Sequence, residues 1–201
     1  RRSTANRASR MDTAVTRLLP NPALLKKRLS MTGKSWTVGQ YGWVSLGLLV
    51  VVTAGLVFKG LPILLALLIG VIFGGGLPHM AVNFMIKRRI AKFTAKFPDA
   101  IELLVRGLRS GLPIGETMAV VAQEVDGPVG VEFRSITDKM KIGRTMDVAL
   151  QETADRLGTP EFQFFVITIA IQRETGGNLA ETLANLATVL RMRGQMKLKI
   201  K

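Results

Sequence analysis

The 201-residue sequence has no cysteine and a single histidine, His79. Without cysteine there is no disulfide framework, no thiolate metal site and no thiol nucleophile. One histidine excludes multi-histidine metal sites and argues against a catalytic triad. Acids are scarce in one half only: residues 1–98 hold 15 Lys or Arg against one acid, Asp12, whereas residues 99–201 hold 13 of each sign. The net charge of +14 therefore belongs to the first half, and anionic lipid headgroups are the simplest partner for it. No aromatic residue interleaves with the late cations Arg191, Arg193, Lys197 and Lys199, so no nucleic acid is expected. A phosphate-loop pattern, an acidic metal cluster and a nucleophile–base pair are also missing, so the expectation is a protein that is not an enzyme and binds no cofactor.

Charge is absent as well from two long runs, Ser35 to Phe58 and Gly60 to Ile86, divided by Lys59 alone. Each exceeds the roughly 20 residues that a bilayer-spanning helix needs. Trp36, Tyr41 and Trp43 gather at the front edge of the first run, where amphipathic rings favour the interface. Lys59, Gly60 and Pro62, where the runs meet, predict a tight turn, and Pro62 suits the first turn of the second helix. Nine basic residues precede the first run, and Lys87, Arg88, Arg89, Lys92 and Lys96 follow the second. The positive-inside rule then places both flanks in the cytoplasm and Lys59 outside. Gly74, Gly75, Gly76 and Pro78 are expected to loosen or end the second span. Residues 1–34 read as a basic arm, 35–86 as two transmembrane helices, and 87–97 as a basic juxtamembrane segment in which Lys87, Arg88 and Arg89 meet lipid headgroups.

Residues 98–201 break into short amphipathic helices punctuated by Gly and Pro. Asp99 and Glu102 form a capping box after Pro98, and Ile101, Leu104, Val105 and Leu108 share a face. Ser110, Gly111 and Pro113 stop that helix. Met118, Val121, Ala122 and Val125 stripe the second, Val129, Phe133, Ile136 and Met140 the third, and Met146, Ala149, Leu150 and Leu157 the fourth, with Thr145 as its cap. Gly127 with Pro128, Gly143 and Gly158 separate these helices, and Thr159 with Pro160 opens the fifth. The fold class that follows is all-α: an N-terminal transmembrane helical hairpin, then a cytoplasmic six-helix bundle.

The turn between the fifth and sixth helices, Arg173 to Leu179, reads Arg-Glu-Thr-Gly-Gly-Asn-Leu. Asn178 can cap the sixth helix, with Glu181 reaching back, while Gly176 and Gly177 supply the positive φ values that such a turn requires. Arg173 and Glu174 are not needed for turning. Together with Arg109, which also precedes a Gly-containing turn, they are candidates for contact with a partner.

Phe97-Pro98-Asp99-Ala100-Ile101-Glu102-Leu103-Leu104, then Leu108-Arg109-Ser110-Gly111-Leu112, then Gln172 to Glu181 resemble the type II secretion F domain. The likeness is closer to the TadB branch of tight-adherence (Flp) pilus platform proteins. The resemblance implies an inner-membrane platform protein that works with a hexameric secretion ATPase and a TadC-like partner, as part of an oligomer. It also implies that pilin is extracted from the membrane and added to a fibre. Members usually carry further transmembrane sequence after this domain, which is expected here beyond Lys201. A platform of a type II secretion or other type IV pilus system, and a membrane-tethered helical adaptor, are the alternatives.

Overall fold

A computed structural model describes residues 21–33 and 38–199. Most of the expected basic arm, and Trp36, lie outside the described residues. Eight helices and no strand occur among the described residues: α1 (Pro22–Met31), α2 (Val38–Phe58), α3 (Ile63–Arg109), α4 (Ile114–Glu124), α5 (Pro128–Lys141), α6 (Met146–Leu157), α7 (Pro160–Thr175) and α8 (Leu179–Lys199). The chain divides into two compact units, one ending at Arg88 and the other beginning at Arg89.

In the first unit, α2 and the early part of α3 are long and apolar enough to cross a membrane. At 21 residues, α2 spans about 31 Å, close to the thickness of a hydrocarbon core. Its last turn closes at Gly60, where φ is 85°. The Gly60 N–H bonds to Val57 O and the Leu61 N–H to Leu56 O, the paired contacts that let a left-handed glycine end a helix. The two helices then pack through small residues. A Cβ at Gly74 would lie 2.8 Å from Leu49 Cβ, and one at Gly70 would strike Thr53, so both glycines are needed for the close approach. α1 is held by Arg28, which donates to Asn83 Oδ1 and lies 3.2 Å from His79 Nε2. Leu29 is buried beside it in sequence.

α3 corrects two expectations. Gly74 to Gly76 and Pro78 do not end it, and no new helix starts at Pro98, because α3 is helical without a break from Ile63 to Arg109. A proline inside a helix costs roughly 3 kcal/mol. Burying Phe93, Phe97, Ile101 and Leu104, each at most 1% exposed, contributes about 1.5–3 kcal/mol per side chain, so tertiary packing outweighs the local penalty around Pro98. Asp99 consequently caps nothing. It sits in mid-helix, and both Asp99 and Glu102 bind Arg191 of α8, at 3.0 Å and 2.7 Å.

The second unit wraps one apolar cluster drawn from α3, α4, α5, α6, α7 and α8. Aromatic residues make up only 6% of the chain, yet five phenylalanines meet at its centre. Ring centroids of Phe93, Phe97, Phe133, Phe162 and Phe165 lie 5.1–6.1 Å apart in tilted, stacked and edge-on pairs, each favourable beyond area burial alone. Phe93 and Phe97 precede residue 98, so the core starts upstream of the boundary read from the sequence.

Candidate functional site

Several helix ends of the second unit gather at one end of it. A Cβ at Gly107 of α3 would meet Thr117 of α4, and one at Gly115 of α4 would lie 3.3 Å from Met140 Cε of α5 and 3.9 Å from Met146 Cε of α6. Close to this junction Arg173, in the last turn of α7, bonds to Asp147, in the first turn of α6, at 2.8 Å. Each charge suits the dipole of its own helix end. Both side chains are largely exposed, so the pair adds at most about 1 kcal/mol to stability. With Glu174 and Ala170 they line a concavity of about 200 Å³. Glu174 is exposed, and so is Arg109 at the C-terminus of α3. No ion pair or hydrogen bond joins Arg109 to this group among the described residues, so the structure brings together Arg173 and Glu174 but not all three candidates.

The adjoining turn carries a second charged group. Lys139 of α5 bonds to Glu152 of α6 at 2.6 Å, and Arg144 pairs with the same carboxylate. The Lys139 hydrogen bond, helped by the charges of Lys139 and Arg144 and opposed by desolvation, holds the Glu152 carboxyl below its ordinary pKa. On α8, hydrogen bonds to Asp99 and Glu102 and the charges of both raise the Arg191 pKa further.

The connecting turn from α7 to α8 departs from expectation in one detail. Asn178 does cap α8, its Oδ1 accepting from Glu181 N–H at 3.2 Å. Gly176 takes a left-handed φ of 65°, but Gly177 does not have a positive φ. A Cβ at Gly177 would meet only side-chain atoms, chiefly the amide end of the flexible Gln172 side chain, which can move aside.

Of the three headgroup candidates, Lys87 and Arg88 are exposed, whereas Arg89 turns inward. Its guanidinium reaches Glu132 Oε1 at 3.1 Å, and Arg156 bonds to the same oxygen at 3.0 Å and also pairs with Oε2. The Glu132 side chain is 1% exposed, against 14% for Arg89 and 25% for Arg156. Sequence reasoning missed this node. A signal was present: Glu132 falls on the same stripe as Val129, Phe133 and Ile136, so helical periodicity places an acid on a core face. Its partners stand 43 and 24 residues away, beyond any local pattern.

Residues 100–201 match the model of the type II secretion system (T2SS) protein F family. The chain belongs to this family. No curated protein and no solved structure matches the chain. Members are non-catalytic membrane platform proteins of type II secretion or type IV pilus systems. They typically work with secretion ATPases and other platform proteins. For this T2SS F chain, the two apolar helices agree with an inner-membrane location.

Proposed function

We propose that this chain is a platform protein of the tight-adherence (Flp) pilus kind, coupling a hexameric cytoplasmic ATPase to pilin extraction and fibre assembly beside a TadC-like partner. In this reading α2 and the apolar part of α3 form a transmembrane hairpin, with Lys59 outside and both basic flanks in the cytoplasm. The six helical segments from Arg89 onward form the cytoplasmic domain, and Lys87 and Arg88 bind anionic headgroups. The observation that carries the coupling is the exposed Arg173–Asp147 pair with Glu174 beside it. A pair worth so little to the fold can exchange partners at small cost, which suits a surface that must engage and release a motor. The sequence Arg-Glu-Thr-Gly-Gly-Asn-Leu at this turn supports the assignment to the tight-adherence branch. The family match, which is to the type II secretion protein F, supports a second reading as the platform of a type II secretion system.

Charge reversal at Arg173→Glu, and separately Glu174→Ala, in the full chain should lower both fibre yield and co-purification of the ATPase about tenfold, while circular dichroism stays unchanged. Normal fibres from both variants would remove these residues from the coupling. Fibre extension that persists after deletion of the ATPase would end the coupling reading altogether. Loss of a secreted substrate rather than of fibres would select the second reading.

A further inference from the structure

α7 is apolar on both of its sides. Phe162, Phe165, Val166 and Ile169 enter the core, yet on the opposite side Phe164, Ile167 and Ile171 are 53%, 43% and 50% exposed. At about 100° per residue these three share an arc of about 60°, so they make one strip along the outside of the helix. No charged residue occurs from Phe162 to Gln172. That uncharged run is well short of the roughly 20 residues that span a bilayer. A helix that is apolar all round is one that is covered on both sides, and nothing among the described residues covers this strip.

Carboxylates bound the strip at its two ends. Glu174 lies about 20° round the helix from Ile167, and Glu161 about 60° from Phe164 on the other flank, with about 20 Å of helix between their levels. Neither makes an ion pair among the described residues. From Thr145 to Leu190 the chain carries six acids and two bases. Both bases are engaged, Arg156 by Glu132 and Arg173 by Asp147. A chain of net charge +14 therefore presents this strip within a stretch where acids exceed bases by four.

We infer that Phe164, Ile167 and Ile171, with Glu161 and Glu174, form a docking face for a basic amphipathic helix of another protein. The three apolar residues stand at i, i+3 and i+7, the spacing with which one helix anchors another. Lys or Arg at the two ends of the incoming helix, about 13 residues apart, would meet Glu161 and Glu174. Charge argues against the other occupants. An anionic lipid surface repels carboxylates, and helices that lie in a membrane interface carry cations beside their apolar side. Two copies of this chain paired α7 to α7 about a twofold axis would gather two acids at each end of the contact and no unengaged cation, whether the helices ran parallel or antiparallel. A basic partner turns the same carboxylates into attraction. This face shares Glu174 with the proposed coupling site, but Glu161 and Ile167 lie outside that site, so variants there test the face and leave the coupling reading untouched.

The full chain in phosphatidylcholine nanodiscs is titrated with two fluorescent synthetic helices of about 14 residues that share one leucine stripe. One carries lysines at both ends and the other glutamates. The lysine helix should bind beyond its signal with empty discs, and the glutamate helix should not. Ile167→Asp should weaken binding about tenfold, for the loss of a side chain buried on docking. Glu161→Lys should weaken it about fivefold, for the reversal of an exposed pair. Val131→Asp, at an exposed apolar residue of α5, should leave binding unchanged, and all three variants should keep the circular dichroism of the wild-type chain. In cells, a photocrosslinking amino acid at Phe164 should capture a protein segment whose sequence, read by mass spectrometry, is basic and amphipathic. Failure of the lysine helix to bind, equal binding of both helices, or equal loss in Val131→Asp and Ile167→Asp overturns the inference. So does a Glu161→Lys chain that binds the lysine helix like wild type, or a crosslink that forms only to lipid, only to a second α7, or not at all.

Discussion

The two units put the same kinds of side chain to opposite uses. In the first, large apolar residues face outward: Leu64 is 84% exposed and Val51 71% exposed. The close approach between the helices is made by glycines, with Gly70 and Gly74 against Thr53 and Leu49. In the second, five of the six phenylalanines are buried in the core and only Phe164 is exposed, while charges of both signs lie on the surface. A protein surrounded by hydrocarbon gains nothing by hiding apolar groups and must associate through close packing, whereas one in water is held together by burying them. The contrast explains why the charge-free runs were readable as helices long and apolar enough to cross a membrane and why their internal contacts were not legible.

Glu132→Ala should have the largest effect. It leaves the guanidiniums of Arg89 and Arg156 without their shared carboxylate, and breaking a buried pair costs about 3–5 kcal/mol. Leu64→Ala, on the outward face of the first unit, should change stability by less than about 0.5 kcal/mol. Thermal unfolding of both variants in detergent checks the contrast, and similar melting shifts would erase the distinction between the units.

An intermediate effect is expected within the first unit alone. Gly74→Leu forces a side chain into Leu49 and should separate α2 from α3 at a cost of about 1–3 kcal/mol. Gly75→Leu, whose Cβ would meet nothing within 4 Å, should be neutral. Crosslinking between single cysteines introduced into α2 and α3 would report the separation, and equal crosslinking in the two variants would show that glycine packing does not hold this pair.

The smallest effect concerns pH. Because the folded state depresses the Glu152 pKa, the stabilisation from Lys139 and Arg144 is present above the ordinary glutamate range, about 4.3. It is lost as acidification protonates the folded carboxylate. The wild-type chain should melt slightly higher than Glu152→Gln near neutrality and identically once the carboxylate is protonated. A gap that persists in acid would mean the side chain acts through packing rather than charge.

The sequence by itself determined the elements whose signals are local. Gly111, Gly143, Gly158 and Gly176 end helices, Thr145 and Asn178 begin them, and the apolar stripes of α4 to α8 face the core as periodicity requires. Among the candidate residues, Arg173 and Glu174 were legible as charges that turning does not need. Tertiary structure decided what local rules cannot reach. It carried α3 through Pro98, because packing around Phe93 and Phe97 exceeds the cost of a missing N–H; the helix also runs through Pro78. It gave Asp99 and Glu102 to Arg191, about 90 residues away, instead of to a helix cap. It turned Arg89 onto Glu132, since an acid on a core face must find a cation wherever the chain brings one. A cap or a turn is settled by neighbours within about four residues, whereas the partner of a buried charge is chosen by the whole fold.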